Sequence, residues 1–120
     1  MVDPSVERST RKYLRLIRDH GIVVRFGVVF GSQITGRPDC WSDIDVLVVS
    51  PQFDGQRERR DIDLLWRLAA QTDSRIEPIP CGEMQWREDT SSAMVEIARR
   101  EGQTISIEER EAGQGIKSEG

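Results

Sequence analysis

Between Val28 and Ser50 the chain reads "VVFGSQITGRPDCWSDIDVLVVS", with two aspartates, Asp43 and Asp45, at the head of an otherwise apolar run. In an extended strand, residues two apart share a face, their α-carbons about 6.5–7 Å apart. Asp43 and Asp45 therefore point to one side and Ile44, Val46 and Val48 to the other, while Leu47 and Val49 continue the aspartate face as core. A strand apolar on both faces is a central, covered one. Two carboxylates at its mouth repel each other and resist desolvation, and a divalent cation between them removes both penalties. An all-oxygen donor set favours Mg²⁺ or Mn²⁺ over zinc. Upstream, Gly31 has no Cβ and admits a ligand close to the backbone. Ser32 follows a strand and precedes the short "QIT", so its hydroxyl and the neighbouring N–H groups suit phosphate oxygens. If the two strands pair, phosphate cradle and cation lie side by side as a metal–triphosphate site. Alone, Gly-Ser is a turn and Asp-Ile-Asp a solvated strand end; their order, followed by a buried strand, gives them meaning.

The elements that must position these residues follow from pattern. The expected order is helix, strand, loop, strand, helix, strand, helix. Asp3-Pro4-Ser5 starts a helix with proline where its missing N–H does no harm. Val6, Thr10, Tyr13, Leu14 and Ile17 form one apolar stripe, and Gly21 stands where a left-handed cap is needed. Ile22 to Phe30 is β-branched and aromatic and reads as a strand; the next runs from Ser42 or Asp43 to Val49 and stops at Ser50-Pro51. Ile62, Leu65, Trp66 and Ala69 share a helical face, which makes Trp66 a core residue. "RIEPIP", Arg75 to Pro80, is short and extended, and its prolines suit a sheet edge. "TSSAMVEIARREG" is an amphipathic helix running from a Thr/Ser cap to Gly102, and "TISI" adds a short strand. The expected fold class is α/β (α+β), a small mixed sheet of three to four strands flanked by helices. Residues 1–107 are expected to form the domain and the polar residues 108–120 a flexible tail.

Composition sets the outer limits. The 120 residues suit one domain, with 37% hydrophobic and 32% charged residues, net charge −4 and pI about 5.1. That balance argues against a nonspecific nucleic-acid binder. The N-terminus has acids and no apolar run, unlike a signal peptide, and no stretch reaches the length of a membrane span. Cys40 and Cys81 lie far apart without CxxC spacing and there is one histidine, so a zinc site is not expected. Two free thiols in the cytoplasm are the expectation.

The central stretch resembles the nucleotidyltransferase (polymerase-beta-like) superfamily, in which a strand ending in Gly-Ser is followed, after a spacer, by Asp-x-Asp on the next strand. Here the pattern stands as Gly31-Ser32, ten intervening residues and Asp43-Ile44-Asp45. It is most similar to the minimal, single-domain MNT branch, often written F-G-S-x-A-R-G with S-D-I-D-L. The resemblance implies a third carboxylate on a later strand, three residues before a proline; Glu77, with Pro80, matches, a glutamate replacing the commoner aspartate. "VEIARREGQTI" resembles the family's closing helix. Ile34 and Thr35 depart from the pattern, standing where Ala and Arg are usual, and Arg37 lies two residues on as a substitute charge.

The resemblance implies transfer of a nucleoside monophosphate from an NTP, AMP from ATP, to an acceptor hydroxyl. Asp43, Asp45 and Glu77 would be the catalytic and metal-holding residues, and Gly31 and Ser32 the phosphate-binding ones. With these 120 residues used up in core and nucleotide site, acceptor specificity is expected from a homo-oligomer or another protein. Minimal MNT proteins are often paired, as antitoxins, with a small helical HEPN toxin whose tyrosine they modify. Two alternatives stay open: a small-molecule transferase completed by oligomerisation, and a catalytically inactive partner-binding module of the same fold. Weaker features are read blandly. Arg15 and His20 in "RLIRDH" match an R-x4-H spacing of HEPN ribonucleases, but His20 better serves a helix C-terminus. Arg57 to Arg60 reads as a solvated face. Of Trp41, Trp66 and Trp86 as adenine platforms, Trp41 lies beside the aspartates.

Overall fold

The computed structural model describes residues 2–31, 43–89 and 91–107. Helix α1 spans Pro4–Asp19. The Asp3 carboxylate caps it by accepting from the Ser5 N–H at 2.8 Å, with Pro4 in its first turn. All five stripe residues, Val6, Thr10, Tyr13, Leu14 and Ile17, are buried. His20 closes the helix, its Nδ1 2.9 Å from the Leu16 carbonyl oxygen, and Gly21 then takes the left-handed φ of 103°.

Strand β1 spans Phe26–Phe30 and β2 Ile44–Ser50, followed by a single 3₁₀ turn, Pro51–Phe53. Helix α2 covers Arg59–Thr72, β3 Ile76–Gly82, the short α3 Glu83–Glu88, α4 Ala93–Glu101 and β4 Gln103–Ile105. The four strands form one mixed sheet in the order β3-β2-β1-β4. β1 pairs antiparallel with both β2 and β4, and β2 pairs parallel with β3. The expected class, an α+β chain with a small mixed sheet flanked by helices, is the one found.

The sheet is covered on both sides, as the apolar second half of β2 requires. One core joins Ile44, Val46 and Val48 to Val29, Ile76 and Ile105 of the sheet, to Leu14 and Ile17 of α1 and to Leu65 and Leu68 of α2. The other joins Leu47 and Val49 to Val28, Phe30 and Cys81 and to Val95 and Ala98 of α4. Parity along β2 therefore divides its side chains between the two layers as the sequence pattern implies.

At the β3 edge, the Ile44 N–H donates to the Arg75 carbonyl at 2.8 Å. In a parallel ladder that phase turns residues 75, 77, 79 and 81 toward β2 and the backbone of Pro78 and Pro80 outward. The missing N–H groups thus face the free edge, which is why "EPIP" can be a strand and why that edge offers few donors to another chain.

Two expectations are corrected and one element is added. The first strand begins at Phe26, four residues later than the propensity of Ile22 to Arg25 suggests, because its partner β2 ends where Ser50 leads into the 3₁₀ turn. Trp66 is 50% exposed; the buried residues of α2 are Leu65, Leu68 and Ala69, so the face turned to α1 is rotated away from the tryptophan. Helix α3 was not anticipated. Its first turn is held by a residue far away in sequence, Asp54, whose carboxylate accepts from the Met84 N–H at 3.1 Å and the Gln85 N–H at 3.3 Å.

Candidate active site

Register brings the carboxylates together. Asp45 is directly opposite Phe30 of β1 on one side and Glu77 of β3 on the other. Asp43 stands exposed one residue before β2 begins. Its side chain hydrogen-bonds with that of Glu77, and its charge acts on both Asp45 and Glu77. Three residues separated by as many as 34 positions thus form one acidic cluster at the mouth of the sheet, on the face of Leu47 and Val49.

Gly31 completes the arrangement. It follows β1 with φ +80°, and a Cβ built on it would overlap Oδ2 of Asp45. Two independent requirements, a left-handed backbone and space for a carboxylate, therefore fall on one position. Ser32, the other expected phosphate ligand, lies outside the described residues, as do Ile34, Thr35, Arg37, Cys40 and Trp41.

The electrostatics are those of carboxylates crowded together. Burial, and then the neighbouring Asp43, push the pKa of Asp45 up. Burial also raises that of Glu77, followed by the hydrogen bond that its protonated carboxyl donates to Asp43 and by the charges of Asp43 and Asp45. Like charges under partial desolvation favour the protonated forms, and a bound cation reverses that preference. Among the described residues no group of three or more His, Cys, Asp or Glu is already gathered as an ion cage. What is present is an all-oxygen donor set, crowded and backed by a glycine that leaves room for it, which fits a hard divalent cation and does not suit zinc.

The weaker candidates have structural roles. Arg15 donates from Nε to the Ile107 carbonyl at 2.9 Å, and His20 caps its own helix, so R-x4-H is not assembled as a site. Arg57 donates to the Phe53 carbonyl and to Oε1 of Gln85, tying the turn after β2 to α3. Trp86 packs edge-on against Phe26 with centroids 5.6 Å apart, and the Arg99 guanidinium sits 5.7 Å from its ring. Arg99 also donates to the Trp86 and Asp89 carbonyls at 2.8 and 2.6 Å, closing the C-terminus of α3. Sequence reading missed this clamp because a lone arginine in an amphipathic helix gives no local signal. Cys81 is buried and unpaired, its thiol pushed up to about 11 by burial.

Residues 10–101 match the family model of the nucleotidyltransferase domain. That span is most of the chain, and the chain belongs to this family: it is a nucleotidyltransferase by class, as the Gly-Ser and Asp-x-Asp pattern implied. No curated protein matches it. Among solved structures it is similar to a chain described as the crystal structure of the toxin-antitoxin with AMP-PNP. The identity is 17% and the TM-score 0.55, over 90% of this chain and 78% of that one. At that identity the likeness establishes a shared fold. Among the described residues no helix is long and apolar enough to cross a membrane.

Proposed function

We propose that the protein is a Mg²⁺-dependent nucleotidyltransferase of the minimal MNT type, moving AMP from ATP to a hydroxyl of a protein partner. The observation that supports this most is the register match of Asp45 with Glu77, beside Asp43 and against the missing Cβ of Gly31. Asp43 and Asp45 would hold the cation, with Glu77 completing a second position. When bound, the cation neutralises the triphosphate and stabilises the charge developing on it. Gly31 and Ser32 orient the terminal phosphates through backbone N–H groups and a hydroxyl. The acceptor oxygen bonds to the α-phosphorus as the bond to the bridging oxygen breaks, and pyrophosphate leaves with that electron pair. Glu77, beside Asp43 and Asp45, takes the acceptor's proton.

The solved relative is a toxin-antitoxin with a bound ATP analogue. That supports a protein partner as acceptor; the resemblance to the minimal MNT branch makes that partner a small helical one of the HEPN kind, in the cytoplasm, with this chain as the antitoxin. A homo-oligomer acting on a small molecule is the second reading, and a binding-only module the third. The test is label transfer from α-labelled ATP with Mg²⁺ in a lysate of the source organism, beside an Asp43→Asn/Asp45→Asn control. A labelled protein band that disappears in the control is expected. ATP binding without a labelled macromolecule would overturn the protein-acceptor reading in favour of a small acceptor or binding alone.

A further inference from the structure

The face of α1 turned away from the sheet is strongly basic in a chain of net charge −4. Arg8, Arg11, Lys12 and Arg15 stand at i, i+3, i+4 and i+7, the spacing of one helical stripe. With Leu16 and Asp19 they line a groove of about 410 Å³. Leu16, which also packs against the core beneath α1, is the one apolar side chain in that lining. The acids near the stripe are already engaged. Glu7 pairs with Arg11 at 3.0 Å, Asp19 with Arg18 at 3.3 Å, and Asp3, which feels the charge of Arg8, caps the helix. Arg8 and Lys12 are exposed and carry no salt bridge among the described residues.

Two of the four cations are also fixed by neutral partners. Arg11 Nε donates to the Ser106 carbonyl at 3.0 Å, and Arg15 Nε, one helical turn on, donates to the Ile107 carbonyl at 2.9 Å. A peptide carbonyl orients a guanidinium without neutralising it, so Arg15 presents a held charge that loses little freedom on meeting a carboxylate. From Arg8 to Arg15 the stripe covers about 10 Å of helix axis. An acidic helix lying along it sets carboxylates one turn apart against cations one turn apart. Its apolar side chain then meets Leu16 and the aliphatic stems of the cations. A nucleic acid suits the face less well. Beyond the stripe its phosphates would meet a chain of net negative charge, and its backbone offers Leu16 no apolar group.

We infer that this stripe of α1 docks an acidic amphipathic helix of a protein partner, through carboxylates on Arg8, Arg11, Lys12 and Arg15 and an apolar side chain on Leu16. The inference is independent of the transferase reading. α1 packs on the sheet layer of Ile44, Val46 and Val48, whereas the carboxylate cluster lies on the face of Leu47 and Val49, so docking leaves that cluster uncovered. The experiment uses the full-length chain and a fluorescein-labelled, alanine-based peptide of about 18 residues, long enough to be helical alone. Glutamates and one leucine share a face of the peptide, and a counterpart carries serine for the leucine. Fluorescence anisotropy at low salt is expected to show binding that is about ten-fold weaker for the serine peptide. Arg8→Gln/Lys12→Gln should weaken the leucine peptide about five-fold, the combined effect of two exposed ion pairs, and the loss should fade with salt. Arg59→Gln/Arg87→Gln, which removes the same charge at exposed positions outside the groove, should change affinity less than about two-fold. No binding of the leucine peptide would overturn the inference, as would equal losses in the two double variants or equal affinities for the leucine and serine peptides. Tighter binding of a single-stranded oligothymidylate of the same charge, lost with Arg8→Gln/Lys12→Gln, would overturn it too and make the face a site for nucleic acid.

Discussion

Gly31→Ala separates the site from the scaffold more sharply than removing a carboxylate does. Two costs are readable from the structure. Alanine at φ +80° sits in the left-handed region, which disfavours an L side chain by about 1–2 kcal/mol. For a chain of this size that lowers Tm by about 3–10 °C. The second cost falls on Asp45, because the new methyl overlaps Oδ2 and the carboxylate must retreat by about 1 Å. A displacement of that size at a reacting centre costs about 100-fold in rate. The expected result is a protein that stays folded at 25 °C, with label transfer from α-labelled ATP reduced about 100-fold and weakened Mn²⁺ binding. Urea unfolding and calorimetric Mn²⁺ titration give the two readouts separately. Transfer within about three-fold of the parent, alongside the full loss of stability, would refute the argument that Gly31 exists to seat Asp45.

Four further outcomes are expected. Asp45→Asn should abolish transfer yet stabilise the metal-free protein by about 0.5 kcal/mol, after discounting for solvent screening, since it removes a like charge disfavoured by burial and Asp43; a lower urea midpoint would contradict this. Tyr13→Phe deletes the buried hydroxyl that donates to the Leu65 carbonyl at 2.9 Å and ties α1 to α2, and should cost about 1 kcal/mol in urea unfolding. Thr10→Val replaces a fully buried hydroxyl whose oxygen has no hydrogen-bond partner, and should raise stability by about 0.5–1 kcal/mol in the same assay. Asp73→Asn tests a pH linkage: the Arg75 side chain, bonded to Asp73 at 2.8 Å, is the main reason its pKa is lowered. A lowered carboxylate pKa stabilises above the unfolded value of 3.8 and the contribution is lost as pH falls through the folded pKa. The variant should therefore be less stable by about 1 kcal/mol at pH 7 and equal to the parent near about pH 2; a gap independent of pH would rule the linkage out.

The sequence by itself determined what depends on periodicity and local stereochemistry. Alternation fixed which side chains of β2 share the face of Asp43 and Asp45, because a strand repeats every two residues whatever surrounds it. The five-residue stripe of α1, the Gly21 cap and the proline-bearing edge strand were legible for the same reason. The family followed from Gly31-Ser32 and Asp-x-Asp at their spacing. Only the tertiary structure decided the rest. Propensity marks Ile22 to Arg25 as strand, but a strand needs a partner, and β2 supplies one only opposite residues 26–30. Six residues of α3 are too few to nucleate alone, and they persist because Asp54 and Arg99, distant in sequence, satisfy the two ends. Trp66 falls on an apolar stripe, yet which flank of that stripe is covered depends on where α1 lies across α2. The pairing of Asp45 with Glu77 likewise comes from parallel register between strands joined through α2. Local pattern can say that a glutamate is extended; only the packing of two layers against one sheet sets it beside an aspartate.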